Sequence, residues 1–243
     1  MTEHWLYKTS HLLFKKVIEK YNLLEDGEKV LIGVSGGVDS MVLTHLFNSY
    51  NMRRYKNWNL LAVHINPGFP NWNTQNIIRF FEDVNIPYLI ASTNIPKKLA
   101  QIKTAGRINS CFFCSRERRK RLFEIADKKG IKKIALAHHL EDVNETFFLN
   151  LMFTSKTATF VPKQDFFQQQ FYIIRPLYNF DKELVLRYAK TYGIPTIKNR
   201  CPYEKESERN HIRGFLTRIY KKNSRIKTNI FSGINNIKVN FLP

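Results

Sequence analysis

Residues 29–40 read Lys29-Val30-Leu31-Ile32-Gly33-Val34-Ser35-Gly36-Gly37-Val38-Asp39-Ser40. The β-branched run Lys29–Val34 predicts a buried strand, and Ser35-Gly36-Gly37 predicts a turn. From Met41 to Tyr50 apolar residues return at helical spacing. Strand, glycine turn and helix in that order form the setting of a phosphate-binding loop. The glycines let backbone N–H groups approach an anion, and Ser35 and Ser40 add hydroxyl donors. Asp39 would repel phosphate unless a cation lay between them, which implies Mg2+. The loop has no lysine and does not match G-x-x-x-x-G-K-[ST], which excludes a Walker loop. It does not match the dinucleotide fingerprint G-x-G-x-x-G either.

The same reading extended outward predicts an opening helix over Leu12–Leu24 and strands over Leu60–Ile65, Tyr88–Ala91, Lys133–Ala137 and Phe171–Ile174. Helices are expected over Gln75–Val84, Cys111–Lys129, Asp142–Phe153, Lys182–Tyr192 and Glu206–Asn223, the last two closing the chain. Ser155–Gln170 reads as a surface loop or hairpin. Strands alternating with helices of this length mean βαβ crossovers, hence an α/β fold with a mainly parallel sheet flanked by helices. The expected organisation is a single domain over 1–243. It has an N-terminal helix (1–27), an α/β core (28–178) and a helical C-terminal extension (179–243).

The 243 residues carry 39 Lys+Arg against 20 Asp+Glu, a formal net charge of +19, which suggests a polyanionic partner. The cations are clustered. Arg116, Arg118, Arg119, Lys120 and Arg121 form one run, followed by Lys128, Lys129, Lys132 and Lys133. Arg213, Arg218, Lys221, Lys222, Arg225 and Lys227 form another. Nucleic acid is the expected partner, with Arg116, Arg118, Arg119 and Lys120 as phosphate contacts to RNA. No stretch approaches the roughly 18 apolar residues of a membrane helix. The N-terminal stretch has neither a secretory layout nor an Arg- and Ser-rich presequence, so a cytoplasmic protein is expected.

The three cysteines are Cys111, Cys114 and Cys201, an odd number that argues against a disulfide framework. Cys111 and Cys114 open the basic helix at i and i+3, where both can face one metal. The helix dipole and the neighbouring arginines favour their thiolate forms. A redox pair, a Cys3His zinc site with His211 as the nearest histidine, and an iron–sulfur cluster with one open iron all remain possible from these residues. His138, His139, Glu141 and Asp142 follow a predicted strand, where sites of parallel sheets lie. Asp142 is a candidate for holding Mg2+ or orienting a substrate. Glu145 and Thr146 read as structural, and Phe147, Phe148 and Leu151 as core.

Several motifs occur together and in order: Ser35-Gly36-Gly37-Val38-Asp39-Ser40, Cys111-Phe112-Phe113-Cys114-Ser115-Arg116, and residues 134–151, IALAHHLEDVNETFFLNL. Ile174-Arg175-Pro176-Leu177, Ile194-Pro195 and Arg225-Ile226-Lys227-Thr228 follow. With them the chain resembles the tRNA 2-thiocytidine biosynthesis family of the PP-loop ATP pyrophosphatases, whose fold is of the adenine nucleotide alpha hydrolase type. The resemblance implies an ATP- and Mg2+-dependent tRNA-cytidine 2-sulfurtransferase. It also implies a [4Fe-4S] cluster, a homodimer, and a sulfur donor such as a cysteine desulfurase. Carried over, Ser35, Gly36, Gly37, Val38, Asp39, Ser40 and His138 would bind the nucleotide, and Asp39 would bind Mg2+. Cys111, Cys114 and Cys201 would hold the cluster and act in catalysis with Asp39 and Asp142. The chain departs from the family in having Val38 in place of the loop lysine, Ala137 in place of glycine, and a single cysteine in Cys201-Pro202-Tyr203. Related readings are tRNA 2-thiouridine synthesis, a PP-loop amide or amine ligase, and a non-catalytic zinc protein that binds RNA.

Overall fold

Alternate side chains of the first strand point to opposite faces of a sheet, and both faces are covered. Val30, Ile32 and Val34 of β1 (Lys29–Val34) belong to one apolar cluster and Leu31 to another. The computed structural model describes residues 3–53, 56–70, 72–103, 110–197, 201, 203, 208–238 and 240. After β1 come α2 (Val38–Met52), β2 (Asn59–Asn66), α3 (Gln75–Asp83) and β3 (Tyr88–Ser92). Next are α4 (Ile95–Lys103), α5 (Ser110–Lys128), β4 (Lys133–Ala135) and α6 (Leu140–Thr154). The hairpin β5 (Lys163–Phe166) and β6 (Phe171–Ile174) follows, then α7 (Lys182–Thr191), α8 (Glu208–Lys222) and α9 (Arg225–Ile234). Ahead of them all lies α1 (Glu3–Lys20).

The strand order is β3-β2-β1-β4-β6-β5, parallel throughout except for the β5–β6 pair. Chain order runs one way from β1 to β3 and the other way from β1 to β4. The carboxyl ends of β1 and β4 therefore flank the topological switch point, the crevice where α/β sheets bind ligands. One face of the sheet is covered by α1, α2 and α7, with Phe14, Phe47 and Tyr188 fully buried. The other face is covered by α5 through Leu122, Phe123, Ile125 and Ala126.

Several expectations are corrected. The opening helix spans Glu3–Lys20 and stops before Leu24, because Asn22 takes a positive φ of 47°. Leu23 and Leu24 still reach the core. The helix over Glu206–Asn223 starts at Glu208 among the described residues, and 206 and 207 lie outside them. It does not close the chain, since α9 follows it, packed on α6 and α8. Helix α4, with Pro96 in its first turn where a missing N–H does no harm, was not expected either. Residues 155–170 contain β5, so the hairpin alternative is the one realised. Phe147 and Phe148 are only half-buried and Leu151 is 42% exposed, so the end of α6 is not core. No helix among the described residues is long and apolar enough to cross a membrane.

His64, at the end of β2, has no exposed surface, donates from Nδ1 to the Val34 carbonyl at 2.8 Å and accepts at Nε2 from Trp72 Nε1 at 3.1 Å. A second ring proton would face the indole N–H, and burial lowers the pKa to about 4. The unfolded chain takes up that proton near the ordinary value and the folded chain does not. Stability from this group is therefore present at neutral pH and is lost as pH falls below about 6.5. The stability gap between wild type and His64→Gln is expected to narrow by about 2 kcal/mol from pH 7.5 to pH 5 in urea titrations. A gap independent of pH would contradict this.

Candidate active site

The loop after β1 is closed by its own hydroxyls. Ser40 Oγ donates to the Gly37 carbonyl at 2.8 Å and accepts from the Ser35 N–H at 3.1 Å. Gly37 N–H donates to Ser35 Oγ at 3.2 Å. Gly36 has a φ of 89°, which a residue with a Cβ adopts only under strain. No side chain caps α2, the arrangement in which first-turn N–H groups can receive an anion. Val38 points into the core at 9% exposure, so only its backbone is available to a ligand.

Asp39 faces two groups from distant segments. Lys182 Nζ lies 2.5 Å from its Oδ1, and His139 Nε2 lies 3.7 Å away. His139 starts α6 and contacts three carboxylates, with Glu141 at 3.0 Å and Asp142 at 3.5 Å. Burial alone would lower its pKa, but the Glu141 hydrogen bond and the charges of Asp142, Asp39 and Glu141 raise it. Burial would raise Glu141, yet His139, the Lys182 N–H and Lys227 bring it down to about 2. Asp142 is lowered in the same way, since the His139 charge and N–H and the Arg209 charge outweigh its burial. The Lys227 ammonium sits 3.1 Å from Glu141, and Arg213 chelates Glu145 at 2.7 and 3.0 Å. Glu145 and Thr146, which takes a hydrogen bond from Arg209, thus anchor α8 on α6.

His138 stacks on Phe160 at 4.3 Å, and its Nδ1 accepts from Arg175 Nε at 3.2 Å. Burial and the Arg175 charge push its pKa down to about 3. The ring is therefore neutral, with its proton on Nε2. Arg175 is 2% exposed and is fixed by the Val161 carbonyl and Gln164.

These groups line two cavities. One, of about 290 Å3, lies between the loop and α5 and is bounded by Ser35, Asp39, Ser40, Arg118, Arg119, His138 and Asp142. The other, of about 350 Å3, is bounded by Lys182, Arg213, Thr217 and Tyr220. Asp39 and Asp142 belong to both walls.

The cysteines meet beside the first cavity. Cys114 and Cys201 pack against the cluster of Phe69, Ile95, Leu99 and Phe113. Cys111 donates to the Tyr203 carbonyl at 3.4 Å. Asn199, Arg200 and Pro202 lie outside the described residues. Burial pushes the Cys114 thiol up, Arg118 opposes it, and the thiols of Cys201 and Cys111 add to the rise. The expectation that the dipole and arginines favour a thiolate is therefore corrected for Cys114, because burial outweighs them. His211 is exposed and paired with Glu208, away from this role. Among the described residues no group of three His, Cys, Asp or Glu side chains is arranged to hold a single metal ion. Cys114 and Cys201 share one apolar pocket, and Cys111 is close enough to act on the Cys114 thiol, so the soft donors of an iron–sulfur cluster are gathered on one side of α5.

The basic run of α5 divides in two. Arg116, Arg119 and Lys120 are exposed. Arg118 is turned inward, with a buried Nε that lacks a hydrogen-bond partner, and it acts on both Cys114 and Cys201 while lining the nucleotide-loop cavity. Sequence reading missed Lys182 and gave Arg175 no role. Arg175 had a signal, since it directly follows β6 at the carboxyl edge of the sheet. Lys182 had none.

A model of the PP-loop domain family matches residues 6–219. A tRNA-cytidine(32) 2-sulfurtransferase from Syntrophotalea carbinolica is 28% identical, covering 98% of this chain and 92% of that protein. One from Dichelobacter nodosus is 32% identical, covering 89% and 81%. Among solved structures, the U34-tRNA thiolase NcsA from Methanococcus maripaludis, with its [4Fe-4S] cluster, superposes with a TM-score of 0.75. It is 24% identical and covers 95% of this chain and 78% of that one. The NH3-dependent NAD synthetase from Campylobacter jejuni gives a TM-score of 0.53 at 18% identity, covering 95% and 92%. Both share the fold described above.

Proposed function

The chain belongs to the PP-loop domain family, alongside tRNA-cytidine(32) 2-sulfurtransferases, and we propose that it is an ATP-dependent enzyme of tRNA thiolation that makes 2-thiocytidine. The observation that carries this reading is Arg118. Its side chain acts on Cys114 and Cys201 and also lines the cavity of the glycine loop, which supports a reading with nucleotide and sulfur chemistry side by side.

In the proposed reaction the loop and the start of α2 hold the phosphates of ATP, and Asp39 would hold Mg2+. Lys182 gives the positive charge that the loop itself lacks. The C2 oxygen of a cytosine bonds to the α-phosphorus as the bond to pyrophosphate breaks. Sulfur then attacks C2, and the oxygen leaves with AMP. Cys111, Cys114 and Cys201 would hold a [4Fe-4S] cluster, which when bound supplies the sulfur. A donor such as a cysteine desulfurase would replenish it, together with a two-electron thiol or electron-transfer reductant that brings the donor's persulfide sulfur to the sulfide level. Arg118 holds positive charge where the attacking sulfur and the leaving AMP meet. Neutral His138 orients the base by donating from Nε2 without adding charge.

The test is product analysis with labelled ATP. AMP and pyrophosphate in equal amounts, formed faster when tRNA is added, are expected. ADP and inorganic phosphate as products would contradict the reading.

A further inference from the structure

The tip of the β5–β6 hairpin is strained. Phe167, Gln168 and Gln169 have φ values of 53°, 54° and 66°. Residues with a Cβ adopt this left-handed backbone only at a cost that the surrounding structure must offset. The effect is to raise Phe167, which is 59% exposed, above a nest of other rings. Its ring stands edge-on to Phe123 at 5.2 Å and to Phe171 at 6.2 Å. Phe166 packs against Phe123 at 5.2 Å.

These rings line a groove of about 450 Å3 along α5. Arg116, Arg119 and Lys120 form its rim, and all three are exposed. Two carboxylates also face it: Asp127, and Glu124, whose charge is taken up by Arg121 at 2.8 Å. Arg119 lines both this groove and the cavity of the glycine loop, so the two adjoin.

We propose that the groove is a stacking subsite for an unpaired RNA base next to the base being modified. Phe167 is the stacking ring, and Arg116, Arg119 and Lys120 hold the flanking phosphates. The proposal rests on the tRNA reading above. An exposed aromatic with a cationic rim is the chemistry that binds single-stranded RNA. A base turned out for reaction also strips its neighbour of a stacking partner, and Phe167 replaces that partner. An apolar protein segment would gain nothing from three cations on the rim. Gln170, which lines the groove, supplies an amide for a base edge.

The test is a titration of fluorescein-labelled bulk tRNA at one fixed salt concentration with wild type, Phe167→Ala and Phe167→Trp. Base stacking on an aromatic is worth about 1–3 kcal/mol, so Phe167→Ala is expected to weaken binding about 5- to 150-fold. Phe167→Trp is expected to bind at least as tightly as wild type, with its added indole emission quenched by RNA. Equal affinities for Phe167→Ala and wild type would overturn the proposal. So would a lowered melting temperature with weakened binding that Phe167→Trp does not restore, since that marks a structural role. A change in sedimentation without a change in RNA affinity would assign the groove to a second copy of the chain. Failure of wild type itself to bind tRNA would sink the tRNA reading, and the subsite with it.

Discussion

Replacing Cys114 by serine is expected to abolish sulfur transfer to tRNA while leaving ATP binding intact. The thiol lies in the apolar pocket of Phe69, Ile95, Leu99 and Phe113, and Cys201 packs against the same cluster. The glycine loop is built from β1 and α2 and takes no support from this cysteine. Serine keeps the size of the side chain and removes the soft ligand, so the effect is all-or-none for a thiolate-held group. Thiolated nucleoside should fall below detection, and ATP affinity by calorimetry should stay within about twofold of wild type. Undiminished thiolation would remove the cysteines from the mechanism. Lost ATP affinity would show that Cys114 supports the nucleotide site.

Lys182→Met is expected to slow AMP formation by about 10²- to 10³-fold, the usual effect of deleting one charge aimed at a transition state. Lys182→Arg should recover most of the rate, because the need is for a cation beside Asp39. The ground is geometric. The loop has valine at position 38 and no cation of its own, and Lys182 Nζ reaches Asp39 at 2.5 Å from the first turn of α7. The same ion pair ties α7 to α2, so melting curves must accompany the kinetics. A kcat/KM for ATP unchanged in Lys182→Met would contradict this role.

Much of the fold was legible because strands buried on both faces read as unbroken apolar runs. Lys29–Val34 and Phe171–Ile174 were placed to the residue for that reason. β5 was not, since Lys163–Phe166 pairs as an edge strand with three of its four residues polar, and its turn uses strained Phe and Gln in place of Asn-Gly. α9 buries no residue fully and so carries little apolar signal.

The convergence of Ser35–Ser40 with His138 and Asp142 was legible from topology, because β1 and β4 are neighbours at the switch point. The inward turn of Arg118 was legible in principle. It stands four residues beyond Cys114 and seven beyond Cys111, so helical spacing puts all three on one face. Sequence reading instead assigned Arg118 to RNA together with Arg116, Arg119 and Lys120. Lys182 was not legible, because 143 residues separate it from Asp39 and nothing local marks it.

The most direct test is nucleoside mass spectrometry on unmodified tRNA incubated anaerobically with the iron- and sulfide-reconstituted protein, ATP, Mg2+ and inorganic sulfide. A cytidine carrying sulfur in place of its C2 oxygen, formed only when ATP is present, is the predicted result. Tightly coupled release of AMP and pyrophosphate with every nucleoside still oxygenated, or sulfur on uridine alone, would contradict it.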